Sequence, residues 1–441
     1  MPATEKPTPD QTGTDPCFEE AEGPLLDGDR AFTPGTAVAA LSHRTFRIVY
    51  FGAFVSNIGT WMQNVVLGAL AYELTGSGVF VGVIIFAQLA PLLLLSMVGG
   101  VLADTIDRKK LLVTLTIEQA LFSGLLALVV LDADPSKVLL VAVTLAVGIG
   151  NALYAPAFSA VLPMLVPRID MPGAISLNSA QMNASRVVGP VIGSFLFSRF
   201  GATWVFLGNA ISYAAVIAVL LRVRLPNPPT TGTQGLHRLF EGVRYARNHP
   251  VVWRCLVIIF TFSLFCLPFI TQLPKIAGDA LGIVPKSTGY GVLYATFGFG
   301  AVVGALSIGS VFASASKPLL TRYGLVGFAV ILVAFGSLRV APPAYPVIFC
   351  LGAVYFAVIT SLSTILQQDL DDAVRGKVMA LWIMGFGGTV PFGGLAGGFL
   401  IERFGTSPLL VGGGVVALGL TLYARLERPV EAPAVTTALA D

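Results

Sequence analysis

Apolar runs separated by short polar segments recur along almost the whole chain, each of about 20 residues, the length that one helix needs to cross a membrane. Polar positions inside the runs are few and do not alternate as they would along half-buried strands. The runs predict twelve spans, numbered first to twelfth along the chain, with bounds of roughly 44–72, 79–103, 109–131, 137–165, 173–199, 203–223, 252–275, 287–313, 318–340, 345–367, 376–401 and 407–426. We therefore expect an all-α, polytopic membrane protein.

Composition agrees with this interpretation. Hydrophobic residues make up 55% of the chain and charged residues only 12%, whereas soluble domains carry about 25% charged residues. The net charge of +3 gives no reason to expect a nucleic-acid partner. The spans hold no metal-ligand cluster, phosphate-binding loop or nucleophile–base set, which argues against an enzyme, a metal site or a cofactor.

Basic residues predict the orientation of the chain in the membrane. With the amino terminus inside, the cytoplasmic regions contain 20 Lys and Arg residues and the opposite regions contain 6. Basic residues are retained on the cytoplasmic side. We therefore expect a protein of the cell (inner) membrane with both termini in the cytoplasm.

The polar segments divide the chain into five parts. Residues 1–38 are acidic and rich in Pro, Thr and Gly, so we expect a disordered cytoplasmic tail; they lack the pattern of a signal peptide. A six-helix half at 39–223 precedes a linker at 224–250, in which Leu236, Leu239, Phe240, Val243 and Ala246 share one face of an amphipathic helix. The second half covers 251–426, and 427–441 is a short cytoplasmic tail.

The two halves resemble each other in sequence. GSFLFSRFGATW from Gly193 matches GGFLIERFGTSP from Gly397, and VPRIDMPGAISL from Val166 aligns with LDDAVRGKVMAL from Leu370 at the same offset. Two six-helix halves related in parallel are typical of transporters that bind substrate between the halves at mid-membrane. The repeat therefore favours a transporter.

A charged hairpin connects the second and third spans. Its sequence is GVLADTIDRKK, and its candidate functional residues are Gly100, Asp104, Asp107, Arg108, Lys109 and Lys110. Glycine permits close helix approach, and a carboxylate such as Asp104 can accept hydrogen bonds from the amino terminus of a neighbouring helix. The alternative is a cytoplasmic anchor with two solvated acids.

The spans, the repeat and this hairpin together resemble the major facilitator superfamily over about residues 40–426. The hairpin is similar to the signature G-x-L-A-D-x-x-G-R-[KR]-[KR] and departs from it at Asp107. The form L-A-D-x-x-D-R and the segment SNIGTWMQ from Ser56 resemble the drug:proton antiporter-3 family, which includes macrolide-efflux and enterobactin-exporter types. The resemblance implies a gate in which Asp104 caps the eleventh helix and the basic residues latch the halves in the outward-facing state.

The fifth span carries a second signature. RVVGPVIGS, from Arg186 to Ser194, resembles the antiporter motif G-P-x-x-G-G and departs from it at Ser194. Gly189 and Gly193 form a smooth helix face, and Pro190 lacks an amide hydrogen and kinks a helix. We expect a seal between the halves; ordinary small-residue packing is the alternative.

Two charged residues lie well inside spans. Intramembrane ionisable groups are costly and are functional candidates. Glu118 of the third span is the obvious proton-coupling group, although a structural pairing remains an alternative. Arg186 lies near mid-membrane and could bind an anionic group or bias a nearby carboxylate.

Further polar and aromatic residues lie on helix faces that line the cavity in the family. The candidates are Asn57, Trp61, Asn64, Asn151, Tyr154, Phe158, Asn178, Gln181, Gln272 and Tyr355. Aromatic, amide and apolar groups together suit a bulky, partly polar organic solute. Each amide could instead serve only as an interhelical hydrogen bond.

These observations predict an exporter of an amphiphilic small molecule that works by alternating access. We expect the proton gradient to be its energy source and no cofactor to be bound. Its expected partners are the lipid bilayer, the substrate and protons. A dedicated siderophore exporter is the first alternative. An importer or uniporter, and a non-transporting receptor or membrane enzyme, are the others.

Overall fold

A computed structural model describes residues 32–223, 225 and 235–426. These residues form helices and connecting turns, without a strand among them. The predicted disordered tail up to residue 31, most of the linker and the tail from residue 427 lie outside the described residues. The prediction of an all-α chain is confirmed.

Each predicted span corresponds to a helix or to a short series of helices. The bounds, from first to twelfth, are Arg44–Thr75; Gly78–Thr105; Arg108–Val129; Lys137–Val161; Met171–Phe200; Ala202–Arg222; Pro250–Cys266 with Pro268–Thr271 and Leu273–Asp279; Thr288–Gly309; Lys317–Ser337; Ala341–Gln368; Asp372–Ile383 with Met384–Gly388 and Val390–Phe404; and Thr406–Tyr423. Short helices at Ala37–Ser42, Leu162–Leu165, Arg168–Asp170 and Gly235–Asn248 complete the described elements.

Length and apolar composition make nine helices of the described chain able to cross a membrane. The first, second and fifth spans fall outside that group, yet they are helices of 32, 28 and 30 residues. At 1.5 Å per residue these lengths exceed a hydrocarbon core of about 30 Å. The first and fifth spans are less apolar because they carry many of the polar candidate residues named above.

Helix packing in the first half recurs in the second. The second span packs on the fourth as the eighth packs on the tenth, and the third packs on the sixth as the ninth packs on the twelfth. Between the halves, the second span packs along the eleventh and the fifth packs along the eighth. The core is therefore two helix bundles joined along two helix pairs.

Glycines at equivalent positions form a further contact that the two halves share, between the first and fifth spans and between the seventh and eleventh spans. A Cβ atom on Gly193 of the fifth span would lie 2.9 Å from Cα of Met62 in the first span. A Cβ atom on Gly397, at the repeat position in the eleventh span, would lie 3.0 Å from Cβ of Pro268 in the seventh. Only a residue without a side chain permits such close helix contact.

The seventh and eleventh spans are interrupted. Proline at position 268 lacks the amide hydrogen that would continue the helix ending at Cys266, and a second interruption follows at Gln272. In the eleventh span, Met384–Gly388 forms a π-helical turn. Such turns occur often at functional sites, and this one faces Leu93 of the second span through Gly388.

The linker helix Gly235–Asn248 packs against the start of the eleventh span. Glu241 pairs with Lys377 at 2.5 Å, and Gly242 and Ala246 are buried. Burial and the nearby carboxylates of Asp371 and Asp369 raise the pKa of Tyr245. The side chains of residues 235–240, including Leu236, Leu239 and Phe240 of the predicted apolar face, lie outside the described part.

The described structure begins before the predicted start of the first half at residue 39. The Thr36 hydroxyl caps the short helix Ala37–Ser42 by accepting a hydrogen bond from the Ala39 amide. Asp170 then accepts hydrogen bonds from the Gly35 amide and from the His43 ring, both at 2.9 Å. This segment is therefore fastened to the connection between the fourth and fifth spans.

Candidate functional site

The charged hairpin between the second and third spans is bound to its own half. Asp107 caps the third span, because its carboxylate accepts a hydrogen bond from the Lys110 amide at 2.8 Å. Buried Arg108 points its guanidinium at Met164, with a separation of 2.9 Å between Nη1 and Sδ. Lys109 donates to the carbonyls of Leu221 and Val223 at the end of the sixth span.

Asp104 and Gly100 are the two residues of the predicted gate at the end of the second span. The Asp104 side chain lies outside the described residues, so its proposed capping of the eleventh helix stays a prediction. Gly100 has no described atom within 4 Å of a Cβ built on it, whereas a Cβ on Gly99 would lie 2.9 Å from Cα of Leu153. Close approach of the second span to the fourth therefore depends on Gly99.

The fifth-span signature has two contact faces. A Cβ on Gly189 would lie 2.5 Å from Cβ of Trp61, so the two glycines of the signature pack on the first span within the same half. The other face packs across the halves, where a Cβ on Gly291 would lie 2.5 Å from the Pro190 carbonyl oxygen and would overlap Ser194. Ser194, the departure from the family pattern, is thus the residue that interlocks with the eighth span.

At one end of the molecule, backbone and side-chain hydrogen bonds join the halves. Fully buried Gln272 donates to the carbonyls of Gly78 at 3.0 Å and Gly394 at 2.8 Å. Lys275 donates to the Gly76 carbonyl at 2.8 Å. We call this end the closed end. Gln272, predicted as a cavity residue, lies in this seal between the halves.

Glu402 completes the closed end. Its carboxylate accepts hydrogen bonds from the Ser77 hydroxyl and from the Val79 amide, the latter at 3.1 Å. An acid at a helix amino terminus is favoured by the helix dipole. The carboxyl end of the eleventh span therefore caps the amino end of the second span across the halves, and Tyr72 with Asp279 forms another inter-half hydrogen bond nearby.

Four aromatic rings from three helices lie around Arg186. The guanidinium carbon lies 5.2 Å from the ring centre of Trp61 and 4.9 Å from that of Phe356. The phenol groups of Tyr355 and Tyr294 also interact with it electrostatically. We call these four residues and Arg186 the Arg186 cage. It contains groups from both halves, since Trp61 belongs to the first span, Tyr294 to the eighth, and Tyr355 and Phe356 to the tenth.

Arg186 is half-buried, and its Nε atom is buried without a hydrogen-bond partner. It forms no ion pair with an acidic side chain of the described chain. Gly298 makes room for it, because a Cβ there would lie 3.5 Å from Cγ of Arg186 and 3.2 Å from its carbonyl oxygen. The arrangement can attract an anion to the boundary between the halves.

Glu118 lies in the interior of the first half. Its carboxyl group occupies the space that a side chain on Gly150 of the fourth span would fill, and its Oε2 atom is buried without a hydrogen-bond partner. It interacts electrostatically with Tyr213, whose hydroxyl lies 2.9 Å from that of Thr60. A polar path therefore extends from the third span through the sixth to the first.

Several predicted cavity amides form hydrogen bonds between or within helices. Gln88 of the second span donates to Asn64 at 2.5 Å, and Gln181 donates to Asn178 at 2.8 Å. Tyr154 stacks on Phe158 with ring centres 5.4 Å apart. Asn57 and Asn151 are half-buried on the first and fourth spans. Among the predicted candidates, Trp61 and Tyr355 are the ones that meet Arg186.

Comparison with known proteins places this geometry in a family. The family model described as transmembrane secretion effector matches residues 35–437, which is most of the chain. The chain belongs to the transmembrane secretion effector family. In the part of this member that the structure describes, no group of three or more His, Cys, Asp or Glu residues is placed to hold a metal ion.

Two groups of similar proteins extend the comparison. The enterobactin exporter EntS of Citrobacter koseri is 26% identical over 366 residues, and that of Shigella boydii serotype 18 is 27% identical over 346 residues; each match covers 77% of this chain and 81% of the relative. The nucleoside transporter NupG superposes with a TM-score of 0.70 at 13% identity, over 86% of this chain and 98% of its own. The transporter PepTSo gives 0.67 at 12% identity, over 87% and 98%.

These likenesses confirm the recognition of a major facilitator protein and its fold. Residues that sequence reasoning did not find in this family member are Tyr294 and Phe356 of the cage, and Ser77, Lys275 and Glu402 of the closed end. The sequence held one signal for Glu402. The first half has the uncharged Ser198 at the equivalent position of the repeat, so the acid is specific to the second half. Tyr294 and Phe356 gave no signal, since aromatic residues in apolar spans are usually core residues.

Proposed function

We propose that this family member is a secondary active exporter that moves an amphiphilic small molecule out of the cell by alternating access. The observation that carries the proposal is the closed end, where hydrogen bonds join the two halves at one end of the bundle. Three of these bonds use backbone groups of residues 76–79, so a small rigid-body rotation can break them together. The Arg186 cage then lies between the halves, on the route that such a rotation would open.

The distribution of basic residues predicts the orientation of the protein in the membrane. With both termini in the cytoplasm, as the positive-inside rule favours, the closed end faces outward. The structure then represents the conformation that is closed to the outside. We expect substrate to enter from the cytoplasm or the inner leaflet, and the closed end to separate as substrate leaves.

Proton coupling is assigned to Glu118. Burying an ionised carboxylate without a partner is costly, and binding a proton removes that cost. The contact of Glu118 with the Gly150 position, and its electrostatic interaction with Tyr213, connect its protonation to the packing of three helices of the first half. Protonation can therefore change the relative stability of two arrangements of these helices.

The substrate range has two candidates. A broad exporter of amphiphilic compounds fits the mixed aromatic and amide residues on the helices between the halves. A dedicated siderophore exporter is favoured by the names of the relatives, which are enterobactin exporters.

Efflux of a fluorescent amphiphilic dye from cells that express the chain tests the proposal, with and without a protonophore. Efflux that stops with protonophore supports a broad proton-driven exporter. Absent dye efflux at normal membrane levels, with export of enterobactin, supports the dedicated exporter. Absence of both activities contradicts export.

Glu118→Gln tests the coupling step. Glutamine keeps the shape and cannot release a proton, so we expect export to lose its response to the proton gradient while substrate binding remains. The measurement is substrate uptake into inverted vesicles with and without an imposed pH difference. Glu73→Gln, at the end of the first span, is the matched control. An unchanged response in Glu118→Gln would make Glu118 a structural residue.

A further inference from the structure

The Arg186 cage carries an inference about the class of substrate, and this inference rests on the proposed export function. Among the charged residues that the structure describes, Arg186 lies against aromatic rings from both halves. Placing an arginine in the low-dielectric interior is costly unless an anion or hydrogen-bond acceptors compensate it. The described chain supplies it with no carboxylate partner, and Nε is buried without any acceptor.

Aromatic rings compensate part of this cost. A guanidinium within about 6 Å of a ring centre is attracted by the ring quadrupole, and Trp61 and Phe356 both meet this condition. Rings cannot accept the directional hydrogen bonds that the edge of the guanidinium donates. A complete set of partners therefore requires an acceptor, and a ligand with a planar oxyanion supplies one with matching geometry.

The same rings define the body of the ligand. Trp61, Tyr294, Tyr355 and Phe356 present aromatic surface around one cation, and aromatic pairs gain from offset or edge-to-face contact. Tyr355 is itself held by stacking on Phe262 and Phe297, with ring centres 5.9 Å away in each case. Its neighbours therefore fix the orientation of the Tyr355 ring beside the guanidinium.

We propose that the Arg186 cage is the anion-recognising subsite of the transport pathway, and that the exported substrate carries an aromatic ring bearing a carboxylate. The anion pairs with the guanidinium of the first half, while its ring contacts Tyr294, Tyr355 and Phe356 of the second half. Substrate binding therefore bridges the two halves that must move relative to each other.

Binding to the purified full-length protein in detergent tests the subsite, with 2-naphthoate, 2-naphthylmethanol and 2-naphthylmethylamine as probes of equal shape and different charge. We expect the wild-type protein to bind the anion best and the amine least. Arg186→Gln should weaken naphthoate binding about tenfold or more, the range for a hydrogen bond to a charged group, and leave the alcohol unchanged. Arg186→Lys should give an intermediate loss, since an ammonium lacks the planar fork.

Two outcomes would overturn the inference. In the first, the wild-type protein binds the three probes equally or in the reverse order; in the second, Arg186→Gln binds naphthoate as tightly as the wild-type protein does. If that variant does not fold, the wild-type ranking and Trp61→Phe decide. A brominated naphthoate quenches a tryptophan that it contacts, so Trp61→Phe should lose part of the quenching; full quenching would place the anion elsewhere.

Transport measurements separate this inference from the export function. Proton-driven efflux of neutral or cationic solutes, without anion binding, would retain the exporter and remove the subsite. Anion binding that depends on Arg186, without any efflux, would retain the subsite and contradict export.

Discussion

Two glycines of the fourth span, two positions apart, show how a missing side chain has different consequences at the residue scale. A Cβ on Gly148 would lie 2.6 Å from the carbonyl oxygen of Gln88 and 2.7 Å from that of Ala87, both backbone atoms of the second span. A Cβ on Gly150 would meet the carboxyl group of Glu118, which is the movable end of a side chain. The first glycine therefore controls helix spacing, and the second makes room for a chemical group.

Gly148→Ala should destabilise the protein. The new methyl group meets backbone that cannot move without shifting a helix, and overpacking of this kind costs about 1–3 kcal/mol. Thermal melting of the purified variant measures the effect. Gly124→Ala of the third span is the control, because no described atom lies within 4 Å of its Cβ position. Equal melting temperatures for the two variants would contradict the close contact.

At the element scale, the hairpin between the second and third spans explains its departure from the family signature. Where the family pattern has glycine, Asp107 occupies the cap position of the third span with an ordinary φ of −51°. Its carboxylate satisfies one of the amides that every helix leaves unpaired at its start. Aspartate is therefore compatible with the turn and adds a capping bond that glycine lacks.

Asp107→Ala should loosen the first turn of the third span. Loss of an N-cap side chain costs about 1 kcal/mol, and asparagine retains the accepting oxygen. Amide hydrogen exchange over residues 108–112, measured by mass spectrometry, should become faster in Asp107→Ala than in Asp107→Asn. The same exchange rate in both variants would show that the capping bond has no energetic role.

At the scale of the whole molecule, the closed end joins the two halves by polar contacts at one end of the bundle. Glu402 of one half binds the amino end of the second span in the other half. The remaining contacts between the halves include smooth glycine surfaces, such as Gly82 against Leu395 and Gly398 against Gly78. Polar bonds at the end and glycine faces along the length favour a bundle that can rock.

Glu402→Ala should shift the population toward the state that is open at this end. Spin labels on Asp132→Cys and Val284→Cys, in loops of opposite halves, report the separation by pulsed electron spin resonance after Cys17 and the exposed Cys350 have been replaced. We expect a longer-distance population to grow. Arg403→Ala is the matched control, since Arg403 is exposed and lies over the neighbouring ring of Phe404. Identical distance distributions in the two variants would show that Glu402 does not stabilise the closed end.

The sequence by itself determined the number, length and order of the spans, because each needs only a run of apolar residues long enough for the membrane. It also indicated the repeated halves, through matches such as Gly193 with Gly397, and it singled out Arg186 and Glu118, because charge inside a span is conspicuous. These are properties of local composition, which a linear pattern records.

Tertiary structure decided which groups meet. Gln272 has the sequence signature of a cavity residue, yet it joins Gly78 to Gly394 because the seventh span is broken just before it. Phe356 contacts Arg186, and Tyr294 interacts with it electrostatically, because the halves meet there. Glu118 fits against Gly150 because the third span packs on the fourth. Such contacts join residues far apart in the chain, and their partners depend on how helices pack, which no single apolar run specifies.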